Sequence, residues 1–131
     1  MMALAMRKKR ILIVDDEPAI LQYCQRVLNE AGWDVDTAPD GISARAVISE
    51  REYDLYLFDI KMPGASGKEL YIWLEKTYPD RAARVIFMTG SAVGQETESF
   101  LESSGRPVLL KPFTVEELEA IVTQTLKAVD K

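Results

Sequence analysis

Arg10-Ile11-Leu12-Ile13-Val14-Asp15-Asp16 decides how the rest of the chain is read. Four consecutive apolar residues, three of them β-branched, predict a strand covered on both faces, as in a parallel sheet; a half-exposed strand would alternate apolar with polar. The run stops abruptly at two carboxylates. Pro18 then suits the first turn of a helix, and Ile20, Leu21, Cys24, Val27, Leu28 and Ala31 share one helical face until Gly32 ends it. Strand, acidic break and amphipathic helix are the opening of a βαβ unit.

The same alternation continues to the C-terminus. Trp33 to Thr37 reads as a second strand, and Pro39-Asp40-Gly41 turns the chain into a helix over Ile42 to Glu50. Leu55 to Phe58 is the third strand, ending at Asp59, and the breakers in Met62-Pro63-Gly64-Ala65-Ser66-Gly67 forbid regular structure there. A helix with Leu70, Trp73 and Leu74 inward follows, then a fourth strand, Val85 to Met88, ending at Thr89. Gly94 to Ser104 predicts a helix with a thin apolar face, mainly Phe100 and Leu101, and therefore the softest element. Pro107 to Leu110 is the fifth strand, ending at Lys111-Pro112. Thr114 and Glu117 form a capping box before a last helix that buries Val115, Leu118, Ile121, Val122 and Leu126. Five strands and five helices predict one three-layer α/β domain over residues 10–131, preceded by a lead-in over residues 1–9.

Composition narrows the chemistry. The chain has 131 residues, 47% hydrophobic, with a net charge of −5, one cysteine and no histidine. A chain of this size buries enough surface for a core without disulfides or structural metal. The absence of histidine removes Ser-His-Asp triads, Cys-His pairs and His-ligated metals, and the lone Cys24 removes a multi-cysteine zinc site and reads as a small core filler. The acidic balance argues against nucleic acid as a direct partner and favours a metal cation. Met1 to Met6 is too short to cross a bilayer, so no membrane partner is expected and the cytoplasm is the expected location; Arg7-Lys8-Lys9-Arg10 reads as a solvated lead-in.

Four of the five strands end in a polar residue that interrupts an apolar run: Asp15-Asp16, Asp59, Thr89 and Lys111. Strands of a parallel sheet share one direction, so these ends meet at the edge where open α/β sheets place their ligand crevice. Three carboxylates gathered within about 5 Å repel one another by about 3 kcal/mol per pair at an effective dielectric near 20. Either some protonate or a cation joins them. All-oxygen ligands select Mg²⁺ or Mn²⁺ over zinc or copper. The lysine and the threonine add an ammonium and a hydroxyl suited to a phosphoryl group, whose acceptor would be the central carboxylate, Asp59. A structural ion pair is a second role open to Lys111, and both roles can hold before phosphorylation.

The chain resembles the receiver domain of two-component response regulators over Arg10 to Val129. The resemblance rests on Ile-Val-Asp-Asp-Glu at 13–17, Asp59 followed by Met62-Pro63 and Gly67, Thr89, and Lys111-Pro112-Phe113, with intervals of 43, 30 and 22 residues from Asp16 to Asp59 to Thr89 to Lys111. It implies a flavodoxin-like (βα)5 fold with strand order 2-1-3-4-5 and a cis Lys111-Pro112 bond. It also implies that Asp59 accepts a phosphoryl group from a phosphohistidine on a sensor histidine kinase or a histidine phosphotransfer protein. On the same resemblance Mg²⁺ is held by Asp16, Asp59 and the backbone carbonyl of Lys61, with Asp15 on a metal-bound water, and a phosphorylation-dependent homodimer is allowed. Thr89-Gly90, Phe100-Leu101-Glu102 and the stretch from Gly105 look especially like receivers attached to hybrid sensor kinases. With no transmitter or DNA-binding segment in the sequence, a stand-alone or an excised receiver is expected.

One position departs from that pattern. The family often has an aromatic residue three positions before the lysine, and Val108 stands there, so signalling is expected to use the loop after Thr89 and the helix beyond it. Lys61 and Ser91 lie two residues beyond Asp59 and Thr89, where in the family they border the path of attacking water. Two rivals share parts of the pattern. A haloacid-dehalogenase-type phosphatase would need an aspartate where Lys61 stands, and a flavin carrier would need phosphate donors where Asp15-Asp16-Glu17 would repel phosphate.

Overall fold

The computed structural model describes residues 8–62, 66–90 and 94–130. Five strands, β1 (Arg10–Val14), β2 (Asp34–Ala38), β3 (Leu55–Asp59), β4 (Val85–Thr89) and β5 (Val108–Leu110), form one parallel sheet in the order β2-β1-β3-β4-β5. Between and after them run helices α1 (Pro18–Glu30), α2 (Gly41–Glu50), α3 (Gly67–Thr77), α4 (Pro79–Ala82), α5 (Gln95–Ser104) and α6 (Val115–Val129). This is the flavodoxin-like arrangement that the resemblance implied.

The reading of β1 as doubly covered holds. Ile11 and Ile13 enter one core with Cys24, Val27 and Leu28 of α1 and Leu118, Val122 and Leu126 of α6. Leu12 and Val14 enter the other with Ala44 and Ile48 of α2 and Leu70, Tyr71 and Leu74 of α3. Alternate side chains of a strand point to opposite faces, so a strand sandwiched between helices must be apolar throughout. Cys24 is fully buried, and burial, with Asp15 adding to it, pushes its thiol up to about 12. It is core packing, as read.

Several details differ from the sequence reading. Six helices stand among the described residues where five were expected: α4 is a single turn begun by Pro79 directly after α3, too short to show a helical period. The second strand begins at Asp34, because the Trp33 amide is spent on the Leu28 carbonyl in closing the turn around Gly32. The fifth begins at Val108, with Pro107 contributing only its carbonyl, which accepts from the Phe87 amide. Val115, expected to be buried, is exposed because it is the first residue of α6, beyond the end of the sheet. Ala31 follows the last residue of α1 and is exposed, and Trp73 and Ile121 are half-buried against the cores.

Helix starts were legible at Thr114, whose hydroxyl accepts from the Glu117 amide while the Glu117 carboxylate accepts from the Thr114 amide. Ser66 and Glu69 make a second capping box at the start of α3 that the sequence reading passed over, although the Ser-x-x-Glu spacing is present. α5 lacks any side-chain cap and contributes no fully buried residue; Phe100 and Leu101 alone rest against the core, as the thin face predicted. Residues 63–65, Ser91, the Met1–Arg7 lead-in and Lys131 lie outside the described residues.

Candidate functional site

The ends of β1, β3, β4 and β5 converge as expected. Asp15 follows β1 and extends its ladder, its amide donating to Ala38 at 3.2 Å. Asp59 and Thr89 are the last residues of β3 and β4, and the Lys111 amide donates to the Thr89 carbonyl at 2.8 Å, which ties the residue after β5 to β4. The Lys111-Pro112 peptide is cis, as the resemblance implied. Gly67, the first residue of α3, completes the frame. A Cβ at this position would lie 2.3 Å from the Asp59 carbonyl oxygen and 2.9 Å from the Ile60 Cα, a separation backbone atoms do not tolerate. Helix α3 can start against the end of β3 only because residue 67 has no side chain.

Asp15, Asp16 and Asp59 each offer a carboxylate oxygen, and these oxygens lie within 4.8 Å of one another. Asp15 is fully buried, Asp59 nearly so, and Asp16 is exposed at the mouth. Lys111 Nζ reaches into the cluster, 2.7 Å from Asp15 Oδ2 and 3.5 Å from Asp59 Oδ1. Asp15 is fully buried, and the Lys111 ammonium is the charge that compensates its Oδ2. The other oxygen, Oδ1, accepts from the Glu17 amide at 2.9 Å. The Thr89 hydroxyl is buried and donates to the Gly90 carbonyl at 3.3 Å.

The electrostatics follow from this crowding. Burial, then the neighbouring Asp15 charge, pushes the Asp59 carboxyl up to about 7, against the opposing pull of Lys111 and a hydrogen bond from the Lys61 backbone. For Lys111, burial alone would lower the ammonium, but Asp15, Asp59 and Glu17 together raise it above its ordinary value. The pocket therefore holds more negative charge than one lysine can compensate. A hard divalent cation suits it: three carboxylates supply oxygen within 4.8 Å of one another, and the exposed side of Asp16 leaves room for water.

Of the residues picked from sequence, Asp15, Asp16, Asp59, Thr89 and Lys111 are brought to one sheet edge. Lys61 stands beside them, its backbone on Asp59 and its side chain exposed. The reading missed Glu17 as a partner of Lys111. Its Oε1 accepts from Nζ at 3.1 Å across 94 residues of sequence. A third acid beside the Asp15-Asp16 pair was the available signal, but its direction depends on the loop.

A parallel sheet in the order β2-β1-β3-β4-β5, with an acidic crevice and a lysine at its C-terminal edge, is the arrangement of a receiver-type signalling domain. The chain belongs to the response regulator receiver domain family, whose model matches residues 11–123. It is 32% identical over 117 residues to the transcription factor SKN7 of Saccharomyces cerevisiae, covering 89% of this chain and 18% of that protein. It is 34% identical to the DNA-binding dual master transcriptional regulator RpaA of Synechocystis, covering 93% of this chain and 51% of that protein. The sensor protein EvgS of Escherichia coli O157:H7 matches at 34% identity, over 89% of this chain and 10% of EvgS. The chain thus spans between a tenth and about half of these relatives. Among solved structures, the CheY-like receiver domain protein of Methanospirillum hungatei JF-1 superposes with a TM-score of 0.86 at 31% identity, covering 95% of this chain and 98% of that one.

Proposed function

We propose that Asp59 is the phosphoryl acceptor of this receiver domain. The observation that carries the reading is the cluster of Asp15, Asp16 and Asp59 within 4.8 Å, with Lys111 reaching into it. An Asp59 carboxylate oxygen attacks the phosphorus of a phosphohistidine on a sensor histidine kinase or a histidine phosphotransfer protein. The P–O bond forms as the P–N bond breaks, and the electron pair returns to the imidazole nitrogen. Lys111 neutralises charge on the transferred oxygens, and the Thr89 hydroxyl, released from Gly90, donates to one of them. Mg²⁺ or Mn²⁺ held by Asp15, Asp16, Asp59 and the Lys61 carbonyl supplies further charge neutralisation when bound. Attack by water on the same phosphorus returns Asp59 and releases phosphate, so the domain catalyses its own phosphorylation and dephosphorylation and has no other substrate.

The proposed domain spans residues 10–131 and acts in the cytoplasm, where it would meet the kinase. Among the described residues no helix is long and apolar enough to cross a membrane. Switching runs through α5. Val108 is too small for an aromatic rotamer change, whereas Phe100 of α5 packs edge-on against Phe87 of β4, two residues before Thr89. Intact mass measurement after incubation with acetyl phosphate and Mg²⁺ tests the acceptor: the parent gains one phosphoryl group and Asp59→Asn gains none. An adduct on Asp59→Asn would move the acceptor elsewhere.

A further inference from the structure

Lys111 is shared by three carboxylates, and only two of them belong to the metal cluster. The third, Glu17, is held in place by the fold. Its amide donates to the buried Asp15 Oδ1 at 2.9 Å, so its backbone is fixed to the floor of the pocket. It occupies the position before α1, where a side chain ordinarily caps the helix, yet it makes no cap hydrogen bond. The carboxylate is directed to Lys111 instead, with Oε1 accepting from Nζ at 3.1 Å.

The three carboxylates pull on the ammonium from different depths. Asp15 is 0% exposed at the base, Asp59 7%, and Glu17 60% at the mouth, while the lysine side chain itself is 15% exposed. A divalent ion held by Asp15, Asp16 and Asp59 would neutralise the two inner partners and repel the ammonium. Glu17, outside that cluster, keeps its full attraction. Resting on the acceptor reading above, we propose that Glu17 is a positioning residue for Lys111: in the metal-loaded domain it retains the ammonium at the pocket mouth, beside the place where the phosphoryl group arrives. Glu17 lies outside the cluster of Asp15, Asp16 and Asp59, and its carboxylate is on Lys111. It acts through Lys111, by sparing the site the loss of an ammonium that would otherwise turn to solvent.

The test compares the parent with Glu17→Gln and Glu17→Asp in the presence of Mg²⁺. The side chain is exposed, so both variants should fold, with thermal unfolding as the check. Nitrogen-15 NMR of the lysine side chains reads the position of the ammonium without any phosphorylation. The parent should show a distinct, slowly exchanging Lys111 signal that merges with the solvated lysines in Glu17→Gln and is partly restored in Glu17→Asp. Phosphoryl uptake from acetyl phosphate should slow about two- to fivefold in Glu17→Gln, the range for a partly exposed ion pair, and recover in part in Glu17→Asp. The slowing should shrink at high salt. An unchanged Lys111 signal and rate in Glu17→Gln, with the parent phosphorylated normally, overturns the positioning role and leaves the acceptor reading standing. A parent that takes up no phosphoryl group at all overturns both.

Discussion

The two faces of the sheet are filled by different chemistry. Toward α1 and α6 the buried side chains are aliphatic apart from the sulfur-bearing Cys24 and Met88, with Tyr23, Trp33 and Phe113 half-buried at the margin, and each of those helices sends three apolar residues into the core. Toward α2, α3 and α5 the core holds Tyr53, Tyr56, Phe58, Tyr71 and Phe87, and α5 contributes only the half-buried Phe100 and Leu101. One face is clamped by two long amphipathic helices. The other mixes aliphatic residues with rings, and beneath α5 those rings meet edge-on, Phe87 and Tyr71 each against Phe100 at 5.5 and 5.9 Å. A helix without a buried side chain forfeits little when it shifts, whereas one with three buried apolar residues must break close packing. On the second face α2 and α3 are anchored by their own buried residues, so α5 is the lightly held element beside the acceptor edge.

Core truncation should separate the faces most clearly. Leu118→Ala on α6 should cost about 3 kcal/mol in urea unfolding, and Phe100→Ala on α5, half-buried, about 1–2 kcal/mol. Equal costs would remove the distinction. Next in size is Gly67→Ala, which must push α3 away from the end of β3 and should cost about 1–3 kcal/mol. Phosphoryl uptake should fall with it, because the displaced residue abuts the Asp59 carbonyl. A variant with parent stability and uptake would mean that the close approach is not needed.

Asp59→Asn sets the charge at the edge against the packing of both faces. The Asp59 carboxyl sits at about 7 in the fold against an ordinary value of 3.8, so the folded state binds that proton more tightly than the unfolded chain. Its favourable contribution is complete below the unfolded value and is lost as pH rises through about 7. Metal-free parent should therefore lose stability relative to Asp59→Asn between about pH 4 and about pH 7, by about 1–3 kcal/mol, and Mg²⁺ should restore it. Parallel pH curves for the two proteins would show that the carboxylates are not in conflict. The smallest effect is in amide exchange: with a phosphoryl mimic at Asp59, α5 should change protection while α6 does not. Identical exchange over residues 95–104 would end the proposed route through α5.

Much of this was legible from the chain alone. Ile11 to Val14 announced a doubly covered strand, and the polar residues at the strand ends announced the crevice, because strand direction in a parallel sheet leaves no other place for them. Thr114 and Glu117 announced a helix start by spacing. Short or boundary features were not legible: α4 has too few residues for a period, and Val115 carries an apolar side chain but sits one residue past the cap, beyond the sheet. Val108 showed only a missing aromatic. That Phe100 lies against Phe87 instead required the packing of α5.

Residue types and their order determined the sheet, its two cores and the five polar residues at its C-terminal edge, since periodicity and strand direction are local and additive. Only the tertiary structure decided how those charges share one another. The pairing of the buried Asp15 oxygen with Lys111, the raised Asp59 carboxyl and the turn of Glu17 toward Lys111 depend on distances of a few ångströms between residues up to 94 positions apart. Coulomb energies vary steeply over such distances and with burial, and neither quantity is written in the order of the residues.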